Sequence, residues 1–402
     1  MSLLYDIGFV IQWVLLLYLG GSALYLFFFA FLSVFPLNKL PPVDFKKRRF
    51  VVLIPSYMED EVIFEVTEQA LLQNYPKDLF DVVVIADKFK SETIQKLKQY
   101  PIILFNENFS MSTKTRALNH ALRLLPANHY DIAVVLDADN LMEKDFLAKL
   151  NDAFSYPYQA IQAHRIAKNL NTNFAILDAI SEEINNNIFR KGHRKIGLSS
   201  ALIGSAMAFR YDFFKDLMAD VEVVGGFDKE LELRLLYDNH IIHYLDDAYV
   251  LDEKVQNVKV FSRQRRRWLS AQFHYFGKHF LPAIKALISK GNIDYFNKAF
   301  QYVQLPRILL LGLLILISFV SLFINPLLLT IIWLSAALLI IAALLFATPL
   351  RFYNLKTLKA LLALPVGFAF MFLSLLSIRG ANKQFIHTKH TYNAFQIKKK
   401  DR

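Results

Sequence analysis

Apolar positions along the chain fall into three regimes. Residues from about Ile7 to Phe35 form one apolar run, interrupted by Gly20-Gly21 and Ser22, with no charge after Asp6. That exceeds the roughly 20 residues needed to cross a bilayer. The run lacks a basic leader and ends in bulky residues, so it reads as an anchor and not as a cleaved signal. From Phe50 to about Tyr249, short strand-like runs alternate with amphipathic stretches. Phe50–Ile54 is followed by a helix from about Glu61, then Val82–Ile85, Ser91–Lys98, Ile102–Phe105, Thr115–Leu125 and Ile132–Leu136. Such alternation predicts an α/β domain built on a mostly parallel sheet with helices on both faces. Phe174, Ile176, Ile180, Ile184 and Ile188 recur at helical spacing. They predict a helix, either beside the site or in the core.

The third regime begins near Val255. Phe273, Tyr275, Phe276, Phe280, Ile284 and Leu287 fall among Lys and His up to Arg307. This pattern suits a helix in the membrane interface and equally one packed on the globular domain. Two spans follow, about Ile308–Ile324 and Leu327–Phe346, hinged at Asn325-Pro326. Ala360–Ile378 is apolar as well, but Pro365 and Gly367 weaken a straight helix there. It is expected to lie in or re-enter the cytoplasmic leaflet. The expected organisation is an anchor (1–45), a catalytic domain (46–254), a linking segment (255–307), membrane segments (308–378) and a basic tail (379–402).

Charge refines this picture. Among 402 residues the formal net charge is +11, and 54% of residues are hydrophobic. Lys46, Lys47, Arg48 and Arg49 follow the first apolar run, Arg351, Lys356 and Lys359 follow the later spans, and the tail after Arg379 is basic. Basic flanks mark the cytoplasmic side. The N-terminus is therefore expected outside, and the catalytic domain and the tail inside. The basic residues lack nucleic-acid motif spacing, so no nucleic-acid partner is expected. With no cysteine, disulfides, thiolate metal sites and a Cys nucleophile are excluded.

The chemistry concentrates at strand ends. Val134-Val135-Leu136 runs into Asp137-Ala138-Asp139-Asn140, and Val82–Ala86 runs into Asp87. Ligand crevices in open α/β sheets lie at the carboxyl ends of the strands. Two close carboxylates repel unless a cation sits with them, and a hard divalent ion with phosphate oxygens suits them. Ser112–Asn119 places Lys114 and Arg116 at a helix start, which suits phosphate, although the P-loop spacing is absent. Gly225-Gly226 leads into Asp228, Glu230 and Glu232. One of these acids is a candidate general base, and acids there also simply favour the helix dipole. Gln264-Arg265-Arg266-Arg267-Trp268 offers guanidinium groups for a departing diphosphate and a flat indole for a sugar ring.

This ordered set resembles the membrane-embedded family-2 inverting glycosyltransferases, the group of cellulose, hyaluronan and poly-N-acetylglucosamine synthases. Their pattern is matched by Pro55, Tyr57 and Glu59, then Asp87, Asp137-Ala138-Asp139, the Asp228–Glu232 cluster, and Gln264, Arg267 and Trp268. The resemblance implies a GT-A-like domain that takes a nucleotide-sugar, a UDP-sugar by preference, with Mg²⁺ or Mn²⁺. It places Asp87 on the base with Pro55, Tyr57 and Glu59 close by, and Lys114 near the nucleotide. Asp137 would face the ribose and diphosphate, Asp139 the metal, and Gln264, Arg267 and Trp268 the acceptor and diphosphate. Phe385–Lys389 resembles the family's His-Thr-Pro-Lys, without its Pro. The acceptor would be a growing polysaccharide or a lipid-linked hydroxyl, in contact with membrane lipid and with synthase partner subunits as possible companions.

One departure matters. Where the family has Glu-Asp, this chain has Lys229-Glu230. Glu230 is therefore the expected base, Asp228 the second candidate and the expected helix N-cap, and Glu232 is expected to face solvent or a basic neighbour. The competing readings are a catalytically silent membrane subunit and the transfer of a single sugar to a lipid carrier.

Overall fold

The computed structural model describes residues 2–38, 41–223, 225–256 and 258–376. Helix α1 (Ser2–Ser33) leads into β1 (Phe50–Tyr57), α2 (Ile63–Leu71), β2 (Phe80–Asp87), α3 (Ser91–Leu97), β3 (Ile103–Glu107), α4 (Lys114–Leu124) and β4 (Ile132–Val135). Next come β5 (Leu141–Met142), α5 (Phe146–Ala153), β6 (Ala160–Ala167), α6 (Asn173–Asn186), α7 (His193–Lys195), β7 (Met207–Arg210), α8 (Tyr211–Ala219), α9 (Phe227–Tyr237) and β8 (Ile242–Asp252). The remainder is helical: α10 (Val258–Lys290), α11 (Ile293–Gln301), α12 (Arg307–Ile324), α13 (Leu327–Ala347), α14 (Leu355–Leu361) and α15 (Leu364–Leu376).

The strands form one 8-stranded sheet in the order β3-β2-β1-β4-β7-β6-β8-β5. The expectation of a mostly parallel sheet needs correction, because the sheet is mixed. β1 pairs parallel with β2 and β4, β2 with β3, and β6 with β8. β7 runs antiparallel to both β4 and β6, and β5 antiparallel to β8. The physical reason lies after β4. A parallel pair needs a crossover of about a dozen residues or more, and strand–helix alternation supplies it only as far as β4. β5 follows directly after the turn Leu136–Asn140, so it leaves its neighbour and clips onto the end of β8.

Both sheet faces are covered, as the near-continuous apolar strands require. Phe50, Val52, Ile54, Val82 and Val84 point into a core with α2, α3 and α5. Their alternates Val51, Leu53, Val83 and Ile85 point into a core with α4, α8 and α9. The second core also takes Ala271, Tyr275, Ala283 and Ala286 of α10, together with Tyr295 and Ala299 of α11. One face of the linking segment thus packs on the globular domain. Phe273, Leu281 and Ile288 remain exposed on α10.

Among the described residues, three helices are long and apolar enough to cross a membrane: residues Ile7–Ser33 within α1, α12 and α13. Gly20 brings α1 against Ala336 of α13, the close approach that small residues permit. α14 and α15 meet at a bend of 43°, just before Pro365 in the first turn of α15, where its missing N–H costs nothing. That geometry fits a broken span or a re-entrant turn. The family-like Phe385–Lys389 and the basic tail lie outside the described residues.

α6 settles the open alternative for its helix, and both readings hold. Ile176, Ile180 and Ile184 join the core formed by α1, α12 and α13, while Asp178, Glu182 and Asn185 line the site cavity. α6 continues through a π turn, Asn187–Gly192, into α7. There the His193 ring stacks on Phe29 of α1 at 3.7 Å. Burial pushes the His193 pKa down to about 3, so the ring is neutral. A Cβ on Gly192 would stand 2.2 Å from the Phe29 carbonyl oxygen. Gly192→Ala should therefore destabilise the protein by about 1–3 kcal/mol, read as a lower unfolding temperature in detergent. Gly277→Ala, in open space on α10, should be neutral or stabilising by at most about 1 kcal/mol. Equal unfolding temperatures for the two variants would show that the contact between α1 and the π turn is loose.

Candidate active site

The acidic turn after β4 is held by its own residues. Asp137 N–H donates to Asn140 Oδ1 at 3.2 Å, and Asn140 N–H donates back to the Asp137 carbonyl at 3.1 Å. β5 then pairs Leu141 with Leu251 and Met142 with Val250, which brings the end of β8 to the turn. Glu253 N–H donates to Asp139 Oδ2 at 2.9 Å, and Asn140 Nδ2 donates to Asp252 Oδ1 at 3.0 Å. Carboxylate oxygens of Asp137, Asp139 and Asp252 lie within 4.8 Å of one another.

Three carboxylates this close require cations. Lys114 ion-pairs with Asp137 and donates to the Gly204 carbonyl at 2.6 Å. Arg165 of β6 lies 3.4 Å from Asp252, 3.8 Å from Asp137 and 2.5 Å from Glu182 of α6. Lys254 is buried between Asp252, at 2.7 Å, and Glu182. Burial draws the Lys254 ammonium down to about 7. The donor set is all oxygen and strongly anionic, and it suits Mg²⁺ or Mn²⁺. Asp137, Asp139 and Asp252 are the residues that would hold such an ion. Asp252, Arg165, Glu182 and Lys254 were missed in the sequence. For Asp252 a signal existed, since it is one more acid ending an apolar strand.

The expected site residues divide into groups. Tyr57 and Asp87 are register partners at the ends of β1 and β2, with Pro55 in the same strand and Glu59 buried just beyond it. Phe109 N–H donates to Asp87 Oδ1 at 3.2 Å, and Lys88 sits over the Tyr57 ring. A cavity of about 1250 Å³ takes in Lys114, Asp137, Asp228, Gln264, Arg267 and Trp268. Pro55, Tyr57, Glu59 and Asp87 are not among its lining residues. On α10, Trp268 is exposed, with the Arg265 guanidinium 4.4 Å from its ring centroid, and Arg265 pairs with Asp178 at 2.6 Å.

The acids of α9 separate clearly. Gly226, at φ +72°, caps the helix, and Asp228 lies inside it, so Asp228 is not the N-cap. The reason is that Gly226 alone accepts the left-handed turn that starts α9 at Phe227. Asp228 lines the cavity, its Cβ and Cγ each 3.9 Å from the Cβ position of Gly204. Gly204 is the residue whose carbonyl holds Lys114. Glu230 lies outside the cavity lining and is gripped by Arg234 at 3.1 Å and by Lys278 at 3.1 Å. Burial pushes the Glu230 carboxyl up, but hydrogen bonds from Arg234 and Lys278 outweigh it and hold the group below its usual value. Glu232 is buried against Lys298 at 2.7 Å, the basic neighbour expected for it.

A model of the family described as glycosyltransferase-like family 2 matches residues 48–271, more than half of the chain. The chain belongs to this family. The protein named probable glycosyltransferase YdaM, from Bacillus subtilis (strain 168), is 25% identical over 322 residues, spanning 74% of this chain and 73% of YdaM. Among solved structures, the mannosyltransferase PcManGT from Pyrobaculum calidifontis, in complex with GDP-Man and Mn²⁺, superposes with a TM-score of 0.52 at 18% identity. That match covers 84% of this glycosyltransferase and 97% of PcManGT, and it shows a shared GT-A-like fold. Asp139→Asn and Asp252→Asn should each lower Mn²⁺ affinity at least about tenfold, read by Mn²⁺ paramagnetic resonance on folded protein. Unchanged Mn²⁺ binding in both variants would remove the metal from this cluster.

Proposed function

We propose that this glycosyltransferase moves a sugar, with inversion, from a nucleotide-sugar to a hydroxyl acceptor at the cytoplasmic membrane face. The observation that carries the reading is that one cavity joins the Asp137 acid cluster, Asp228 and the Gln264–Trp268 stretch. The donor's base would lie along the ends of β1 and β2, with Asp87 accepting from a base N–H and Tyr57 beside it. The donor is read as a UDP-sugar from the resemblance. The GDP-Man of PcManGT makes GDP the competing choice, and UDP against GDP inhibition of donor hydrolysis separates them.

Asp137, Asp139 and Asp252 would hold a Mg²⁺ or Mn²⁺ ion, which would supply charge neutralisation for the diphosphate. Lys114 and Arg165 hold Asp137 in place. Arg267, on the cavity wall, offers its guanidinium to the departing diphosphate. Trp268 offers its ring face to the acceptor sugar, and Gln264 a polar contact beside it. The general base is Asp228. It is the acid of α9 that lines the cavity, whereas Glu230 and Glu232 are committed to Arg234, Lys278 and Lys298.

Asp228→Asn should lower transfer by about 10²-fold or more and leave nucleotide-sugar binding intact, because the base touches the acceptor and not the nucleotide. Glu230→Gln should keep its transfer rate within a few-fold. Its cost should appear in stability, about 1–3 kcal/mol for a weakened buried ion pair. A dead, folded Glu230→Gln beside an active Asp228→Asn would return the base to the position matched from the family.

The sidedness reading rests on the basic flanks at Lys46–Arg49 and Arg351–Lys359. Single cysteines are clean probes because the chain has none of its own. A cysteine at exposed Lys90 in the catalytic domain should resist an impermeant thiol reagent in intact cells, and so should one beyond Lys383. External labelling at the second position alone would show that α14 and α15 form one broken span.

A further inference from the structure

The cavity extends well past the catalytic acids. Beyond Arg267 its walls are supplied by α6, α12, α13, α14 and α15. Two cations line this part of the cavity. Arg190, buried in the π turn after α6, donates Nε to the Ala201 carbonyl at 3.0 Å and one NH1 hydrogen to Asn186 Oδ1 at 2.8 Å. Those bonds use two of the five donors a guanidinium carries. Arg307, the first residue of α12, donates NH2 to the Ser181 carbonyl at 3.0 Å and to Ser181 Oγ at 3.2 Å. Its NH1 is buried with no hydrogen-bond partner. No carboxylate pairs with either group among the described residues. The charges that act on Arg307 are those of Arg265 and Arg190, which share its sign, whereas Arg190 also feels the more distant carboxylates of Glu232 and Asp228. A buried guanidinium N–H with no partner is unfavourable unless a ligand supplies one.

The wall changes character one residue later. Ile308 and Leu311 follow Arg307 on the cavity side of α12, and Leu344 and Leu345 close it from α13. Across from them α14 turns Leu355, Leu358 and Leu361 to the cavity, spaced three apart on one helix face and exposed. Met371 and Gly367 continue the wall on α15. α14 lies against α6, and α15 lies against α10 and α12, so the bent pair straddles the opening. A glycan chain needs hydrogen-bonding partners along its path. This passage offers mostly hydrocarbon, next to helices apolar enough to cross a membrane.

We infer that the acceptor is a membrane-anchored amphiphile, a hydroxyl-bearing headgroup joined to a hydrocarbon tail through a phosphate-type linkage, with the linkage on Arg190 and Arg307 and the tail leaving between α12, α14 and α15. The inference rests on the transfer reading above and names its acceptor class. In the reaction, the headgroup hydroxyl oxygen bonds to the anomeric carbon. The anomeric carbon–phosphate oxygen bond breaks, the nucleoside diphosphate leaves with that electron pair, and Asp228 takes the hydroxyl proton.

Two measurements on the full chain in detergent test it. In the first, a photoactivatable alkyl phosphate and its neutral alkyl-alcohol counterpart are crosslinked to the protein without any donor. Labelling should favour the phosphate probe and map to the α12, α14 and α15 wall. It should fall about tenfold in Arg307→Gln, the value of one charge-assisted hydrogen bond, and recover in Arg307→Lys. Equal labelling by the two probes, or labelling unmoved by Arg307→Gln, overturns the proposal. In the second, labelled nucleotide-sugar is offered with an isoprenoid-diphosphate-linked sugar, with phosphatidylglycerol, or with a soluble oligosaccharide. Organic-extractable product in the first or second arm supports the inference and identifies the source of the phosphate linkage. Its acceptor KM should rise about tenfold in Arg307→Gln with the donor KM unchanged. Product from the soluble oligosaccharide alone overturns it. Phosphate-selective labelling with no transfer in any arm would sink the transfer reading and leave the binding site standing.

Discussion

Like-charge repulsion at the carboxyl ends of the strands is the constraint the rest of the structure answers to. Asp137, Asp139 and Asp252 bring their oxygens within 4.8 Å, and Glu182 stands behind them through Arg165 and Lys254. Left alone, such a cluster would take up protons or push apart. Lys114, Arg165 and Lys254 hold it together from three separate elements, α4, β6 and the segment after β8. Each of those elements is placed by ordinary packing. Ala117, Leu118, Ala121 and Leu122 seat α4 on the sheet, and the β6–β8 pairing sets Arg165 against Val250. The apolar core thus fixes where the cations sit, and the cations fix how close the acids can come.

The same balance ties the site to the membrane helices. α6 carries Glu182 and Asp178 toward the acids and arginines, and Ile176, Ile180 and Ile184 toward α1, α12 and α13. Its neighbour Glu183 is bound by Arg351, just past α13, and by His164 of β6 at 3.1 Å. A shift of the apolar bundle would therefore be felt at Arg165 within one helix diameter, about 10 Å. One face of α6 thus meets the acids while another meets the apolar helices, so the site and the bundle are packed as one body.

Much of this was legible along the chain, and the remainder has a clear reason for being hidden. The strands β1 to β4, the acidic turn and the three long apolar helices announce themselves through local pattern alone. Asp87 and Asp139 stand out because a strand followed by an acid is a local signal. Asp252 carries the same signal at the end of β8, but the strand–helix reading stopped at Tyr249, just short of it. Arg165 and Lys254 carry no such mark. They are cations whose sequence neighbours give no sign of their partners, and only the β5–β8 clip and the β6–β8 register bring them to the acids. The mixed direction of the sheet was hidden for a related reason, since β7 is four residues long and its direction is set by where α6 and α7 deliver it.

The base illustrates where matching positions between sequences and matching positions in space part company. Counting along the family motif leads to Glu230, and a carboxylate there is chemically competent. A helix, however, turns about 200° over two residues, so Asp228 and Glu230 cannot share a face. What decides between them is the helix start. Gly226 takes a left-handed conformation and α9 begins at Phe227, which turns Asp228 toward Gly204 and the cavity. Arg234 then stands four residues beyond Glu230, at the spacing where helical side chains meet, and claims it. A carboxylate held by two cations below its usual pKa is a poorer proton acceptor than one that faces the substrate. The longer side chain at the family position is therefore held by the fold, and the acid two residues earlier is left facing the cavity.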